Sequence, residues 1–383
     1  MTSMLKSRVV VNSLLFLSLA FFGFSMAAKR PVWNDEIYSQ KASIESFSYK
    51  EIFAGKIREG NNSPLFYSAQ KALAQIFSYT SPRSMSTQYG EYFDMRSQIL
   101  LRLVSILSMS AMMIIFFHFF CKNLSFLWGL YSLGIIFSSF IIWPYWAEAR
   151  PYVLWMLLGT LQMVYYLKIV MSPSEPRQSL RNLAIIHILL SLTTTISAVQ
   201  IAAVTLLLWR TMIRHKAVLF WAVGLPFLII FFYYSRAVKF SFWFKEAPYH
   251  IIFASVPMDR LALLGIFGLG LLIVVLKTSL KDLQERFKLE ILAFSNFLLL
   301  LIAASALLLV FKMKETPLNG FQVSNRYFIF LFPSSVAAMV LSSRGLIKLC
   351  GDHKLLKIAG IFLILVFLCY RFQRTLPFTL AYF

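Results

Sequence analysis

Two adjacent carboxylates, Asp35 and Glu36, stand in Pro31-Val32-Trp33-Asn34-Asp35-Glu36-Ile37-Tyr38, directly after the first apolar run of the chain. Carboxylates so close to hydrocarbon are costly, and such groups mark function by default. A carboxylate at a membrane surface can take the proton of an attacking hydroxyl. Further along, Glu148-Ala149-Arg150 follows the aromatic stretch Trp143-Pro144-Tyr145-Trp146, and Asn325-Arg326-Tyr327 opens a late apolar run. Arginine can grip a phosphate through two parallel N–H donors. Each group also has an ordinary reading. Asp35 could cap a helix, Arg150 and Arg326 could anchor lipid headgroups, Glu148 could pair with Arg150, and Tyr67, Tyr152 and Tyr327 could belong to an interfacial belt.

The elements that must position these groups are membrane helices. The chain has 383 residues, is 59% hydrophobic and only 14% charged. Several apolar runs reach the roughly 20 residues needed to cross a bilayer. They lack the period-two alternation of outer-membrane barrels, so the expected class is an all-α integral membrane protein. The net charge of +21 reads as Lys and Arg in short loops on one side of the membrane, with some left for anionic lipid, and not as nucleic-acid binding. Cys121, Cys350 and Cys369 are scattered and the five histidines are dispersed, so neither shows metal-ligand spacing. His118 and His187, inside apolar runs, read as packing residues.

Three regions are expected: 1–28 as a first transmembrane helix, 29–96 as an external loop, and 97–383 as a polytopic domain. An uncleaved first span is favoured over a cleaved signal peptide, because the run with Met26 to Ala28 is long enough to cross. The loop holds seven of the sixteen acidic residues. Within it Ser63-Pro64 is a helix start, and Leu65, Ala69, Ala72, Leu73, Ile76 and Phe77 recur at helical spacing. That describes an amphipathic surface helix, ended by Ser81-Pro82. Spans are expected near 97–120, 124–144, 151–171, 217–235, 260–277, 289–311, 326–343 and 356–370. Residues 183–209 read either as one span or as a hairpin of two half-spans around Thr193-Thr194-Thr195. The basic flanks Arg177, Arg181, Arg210 and Arg214 favour the hairpin. The count is then about eleven, with the N-terminus cytoplasmic and residues 371–383 outside. Phe240-Ser241-Phe242-Trp243-Phe244-Lys245 reads as a segment dipping into the interface.

The order of these pieces resembles the polytopic glycosyltransferases of the GT-C superfamily, and most closely the family 39-like bacterial enzymes related to protein O-mannosyltransferases and to the lipid A aminoarabinose transferase. Trp33-Asn34-Asp35-Glu36 is similar to the acidic motif of their first external loop. Asn62-Ser63-Pro64-Leu65-Phe66-Tyr67 is similar to the motif that introduces their surface helix, Arg102-Leu103-Val104-Ser105 to an Arg-Leu-Pro-Ser motif, and Glu148-Ala149-Arg150-Pro151-Tyr152 and Asn325-Arg326-Tyr327 to two later ones. The likeness spans roughly residues 9–345. It departs at Asn62 and Ser63, where the family motif has His and Pro; an amide is neither a general base nor a good metal ligand.

The resemblance implies transfer of a sugar from a polyprenyl-phosphate donor to an acceptor hydroxyl on a lipid, glycan or protein, with inversion, at the periplasmic face of the inner membrane. Asp35 is the expected base, and Glu36 a second catalytic candidate that could orient the acceptor. Asn62, Tyr67, Glu148, Arg150, Tyr152, Arg326, Tyr327 and, more weakly, Lys239 and Lys245 are the expected substrate contacts. No metal ligand is assigned, although Glu148 leaves room for a divalent ion. A transporter or flippase for polyprenyl-linked glycans, a polymerase or ligase of such glycans, and a non-catalytic assembly partner are the competing readings.

Overall fold

A computed structural model of the chain describes residues 2–57, 63–79, 85–87, 90–92, 94–172, 176–236, 252, 286–313, 325–351 and 353–380. The described chain is helical apart from one small hairpin, Met85–Thr87 paired antiparallel with Gly90–Tyr92. Asn62, Lys239, Lys245, the expected span near 260–277 and the Ser81-Pro82 stop all lie outside the described residues.

Six helical stretches are long and apolar enough to cross a bilayer: Val9–Lys29, Met95–Asn123, Tyr152–Met171, Lys216–Arg236, Lys288–Leu309 and Lys354–Pro377. Three of them expose apolar side chains along much of their length, among them Lys216–Arg236 with Phe220, Trp221, Phe231 and Phe232. Leu14, Leu17 and Phe21 of α1 (Thr2–Lys29) face outward, as do Leu355, Ile358, Phe362 and Leu363 near the C-terminal end of the chain. Apolar surface of that extent belongs in lipid, where it costs nothing to leave uncovered. The protein is a multi-pass membrane protein.

The loop after α1 is built by local capping. Helix α2 (Asn34–Gln40) has Trp33 at its N-cap, and Glu36 reaches back to the Trp33 N–H at 3.0 Å. This is half of a capping box, and it displaces Asp35 from the capping role to the exposed first turn. Helix α3 (Tyr49–Phe53) starts on a full box between Ser48 and Glu51. In α4 (Pro64–Ile76) Ser63 is the N-cap and Pro64 the first helical residue, as expected; the helix ends at Ile76, short of Ser81-Pro82. Behind it, Asp94 caps α5 (Met95–Asn123) by accepting from the Ser97 N–H at 3.0 Å.

Helix α5 is the buried axis, packed by α1, α6 (Phe126–Phe137) and α8 (Tyr152–Met171). Gly23 lets α1 close on it, for a Cβ there would lie 2.8 Å from Ile106 and 2.9 Å from the Trp146 indole nitrogen. The expected span 124–144 is not one helix. It breaks at Ser138–Ile141 before the short α7 (Ile142–Trp146). Arg371 fills that break by donating to the Ser138 carbonyl at 2.9 Å and to Ser138 Oγ at 3.0 Å, so the freed backbone is satisfied by protein.

Residues 183–209 are also broken, into α9 (Arg177–Ser191) and α10 (Ser197–Leu207). The Leu65 N–H of α4 donates to the Leu192 carbonyl at 3.1 Å. The turn between α9 and α10 therefore sits against the start of the surface helix. One orphan donor at a helix N-terminus meets one orphan acceptor at a helix C-terminus, and the opposed ends of the two helix dipoles attract. After the short turns α11 (Trp209–Met212) and α12 (Lys216–Leu219), a π turn at Phe220–Gly224 leads into α13 (Leu225–Arg236). His187 Nδ1 donates to the Ala222 carbonyl in that π turn at 2.7 Å, and its Nε2 takes the Gln162 amide at 2.9 Å. This intramembrane histidine is held by packing, as expected. Tyr233, near the end of α13, donates to the Ile52 carbonyl at 3.1 Å, which returns the chain to the acidic loop.

Helix α14 (Lys288–Met313) pairs with α15 (Leu331–Leu349), whose run Leu331–Leu341 is wholly buried. A 3₁₀ turn, Asn325–Phe328, precedes α15. The last helix, α16 (Lys354–Leu380), continues through residues expected to form an external tail.

Candidate functional site

The site grows from α5. Arg102 and Ser105 are three residues apart and so share one face of the helix. Arg102 is fully buried and uses all five of its N–H donors. Nε and Nη2 hold the two oxygens of Glu36 at 2.9 and 2.8 Å. Nη1 donates to the carbonyls of Ala27 and Arg30, both at 2.9 Å, and Nη2 also reaches the Pro31 carbonyl at 2.7 Å. One guanidinium thus ties the end of α1, the acidic loop and α2 to the central helix. The carbonyls it takes at the end of α1 carry the negative end of that helix dipole.

Glu36 is consumed by this arrangement. Besides Arg102 it accepts from the Trp33 N–H and, at 2.6 Å, from the Ala149 N–H. Burial alone would raise its pKa. The Arg102 guanidinium and the three sets of hydrogen bonds outweigh that and hold the carboxyl below the usual range. With no lone pair facing solvent, Glu36 positions its neighbours and cannot orient an acceptor, which corrects the expectation of a second catalytic carboxylate.

The turn Glu148-Ala149-Arg150 is clamped from both sides. Glu36 holds the Ala149 N–H, and Ser105 Oγ donates to the Glu148 carbonyl at 2.5 Å and the Arg150 carbonyl at 3.3 Å. The clamp aims Arg150 at α2. Its Nη1 donates to Ser39 Oγ at 3.2 Å and the Asp35 carbonyl at 3.4 Å, and its Nη2 lies 3.8 Å from Asp35 Oδ2. Arg326, from the 3₁₀ turn before α15, brings Nη1 to 3.3 Å from the same oxygen. Its guanidinium lies 5.8 Å over the rings of both Tyr152 and Tyr327, and Arg150 lies at the same distance over Tyr152. These cation–π contacts hold two like charges side by side.

Asp35, Glu148, Arg150, Tyr152, Arg326 and Tyr327 are therefore brought together from three distant stretches of sequence. The Asp35 side chain is 54% exposed, Arg326 24% and Arg150 7%, so the cluster opens outward through Asp35. Beneath it, the Tyr152 hydroxyl and Arg326 Nε are buried with no hydrogen-bond partner among the described residues. Such orphaned donors need a reason. Tyr67 is not part of the group. It is buried with Ile52, Ile57, Phe66 and Val104 beneath the surface helix.

Glu148 has a raised pKa. It keeps some surface exposure although protein surrounds it closely. Burial and the nearby Glu36 charge push its pKa up to about 7, against the pull of Arg150, Arg30 and Arg326.

No family model and no curated protein matches this chain. The chemistry has to be read from the cluster alone. Two guanidinium groups, one exposed carboxylate and one buried phenol suit an anionic oxygen ligand. Among the described residues no three His, Cys, Asp or Glu side chains converge on a common point.

Sequence reasoning missed Arg102 and Ser105 as parts of this site, and took them only as a point of resemblance. The available signal was an arginine inside an apolar run, since an ionisable group at membrane depth is retained for a reason.

Proposed function

We infer that the protein is a membrane glycosyltransferase that moves a sugar from a polyprenyl-phosphate donor to an acceptor hydroxyl, with inversion, at the membrane face carrying the acidic loop. The observation that supports this reading best is the sharing of Asp35 Oδ2 by Arg150 and Arg326. One spot holds both a carboxylate able to take a proton and a cationic seat able to hold a phosphate, at the edge of a helical membrane scaffold. In the reaction the acceptor oxygen forms a bond to the anomeric carbon as the bond from that carbon to the phosphate oxygen breaks. The electron pair leaves on the phosphate beside Arg150 and Arg326, and the acceptor proton passes to Asp35. The lipid tail lies among the apolar helices while the sugar reaches the surface.

The same reading takes eleven spans, with α9 and α10 as a re-entrant pair and one span between α13 and α14. It puts the N-terminus in the cytoplasm and the site on the periplasmic side of the inner membrane.

The test is turnover of radiolabelled polyprenyl-phosphate sugars by purified protein in membranes that supply endogenous acceptors. Label should move from the lipid donor to a new product, and Asp35→Asn should stop the transfer while the protein still folds and inserts. Full transfer by D35N would remove Asp35 as the base; failure of every donor in the panel would sink the donor class.

A further inference from the structure

We propose that the Asp35 carboxylate is the resident anion of the phosphate seat, and that the donor phosphate takes its place on Arg150 and Arg326 and thereby releases the base. This rests on the donor reading above and adds a switch to it.

The geometry separates Asp35 from its own anchorage. Glu36, one residue on, is sealed by donors at 2.6 to 3.0 Å. Asp35 is more than half exposed, and its two ion-pair contacts are long, at 3.3 and 3.8 Å. With its carboxylate side open to water and its contacts that long, the pair is partly solvated, and the carboxylate can exchange for another anion.

The arginines do not depend on the Asp35 carboxylate for their places. Arg150 is docked on Ser39 Oγ and on the Asp35 main-chain carbonyl. Arg326 is sandwiched over Tyr152 and Tyr327. When the carboxylate swings away, both guanidinium groups stay where they are.

Charge favours the exchange. Among the described residues the two arginines share one ion-pair partner, Asp35, since Glu36 is already matched by Arg102 and Glu148 is in large part protonated near neutral pH. A phosphodiester brings one negative charge and more acceptor oxygens than Asp35 can offer. It can engage Arg326 Nη1, Arg150 Nη2 and the Tyr152 hydroxyl, which has no hydrogen-bond partner among the described residues. Asp35, no longer neutralised, is then free to accept a proton. The base is held by the two arginines until the donor is seated, so donor binding precedes acceptor activation.

The experiment measures binding of undecaprenyl phosphate to the full-length protein in nanodiscs, with Asp35→Asn and Arg326→Ala as variants. Asparagine keeps the shape and removes the competing charge, so D35N should bind the lipid phosphate roughly two- to fivefold more tightly, the equivalent of a weak, partly solvated ion pair removed. R326A should bind it roughly ten- to a hundredfold more weakly, the scale of a lost charged hydrogen bond. Binding by the wild type with an unchanged or weakened D35N overturns the exchange and leaves the donor reading standing. No binding by the folded wild type overturns both. A second measurement does not rely on the variants: a cryo-electron microscopy structure with undecaprenyl phosphate bound should show the Asp35 carboxylate moved off Arg326, and a retained contact overturns the exchange.

Discussion

Glu36 and Arg102 form a two-point ion pair, with both side chains wholly buried, one residue away from a carboxylate that is more than half exposed. Adjacent acids in the sequence have separate tasks because they start a helix, and successive side chains on a helix point in different directions.

Breaking that buried pair should be costly. Arg102→Ala leaves Glu36 ionised without its partner and opens three backbone carbonyls, so a loss of about 3–5 kcal/mol is expected. Arg102→Lys should restore little, since an ammonium cannot span two carboxylate oxygens and three carbonyls. Urea or thermal unfolding in detergent checks both; a lysine variant as stable as wild type would show that the forked geometry is dispensable.

Glu148 gives a prediction in pH. Its folded-state pKa of about 7 lies above the ordinary 4.5. Between those values the folded protein keeps a proton that the unfolded chain releases, so this residue makes stability fall as pH rises from about 4.5 to about 7. Glu148→Gln should flatten that part of the curve. Melting temperatures of wild type and variant across this range provide the check, and parallel curves would count against the raised acidity.

Tyr152→Phe removes a buried hydroxyl that has no hydrogen-bond partner among the described residues. Stability should stay level or rise by up to about 1 kcal/mol, because an unsatisfied group goes. Affinity for undecaprenyl phosphate should drop roughly two- to tenfold if the hydroxyl meets the phosphate. Unchanged affinity with raised stability would leave the phenol as packing only.

An odd number of spans places the two chain ends on opposite sides of the membrane. Reporter tags at the N- and C-termini of the full chain should therefore report opposite compartments, and a cysteine at Lys50 should be labelled from the C-terminal side. Tags reporting the same side would overturn the eleven-span topology.

Much of the scaffold was legible in the sequence. Apolar length gave the six long helices, and Ser63-Pro64 gave the start of α4, because both depend on local chemistry. The helix break at Ser138 was not legible. It depends on Arg371, more than two hundred residues away. In the site, Asp35, Arg150 and Arg326 were identified by residue type, and the structure joins them. The fate of Glu36 was hidden, since nothing in Asp35-Glu36 says which acid will meet an arginine from α5. Tyr67 was misplaced for a related reason: a tyrosine near a motif can as easily fill the space under a helix as line a site.

The bond from the Leu65 N–H to the Leu192 carbonyl has its own consequence. It reads no side chain. Almost any residue at 65 and any at 192 can make it, with proline at 65 excluded for want of an N–H. The joint between the surface helix and the buried helical turn is thus written in backbone alone. Lineages could exchange every side chain around it without loosening it, and a comparison of side chains would find nothing there to recognise.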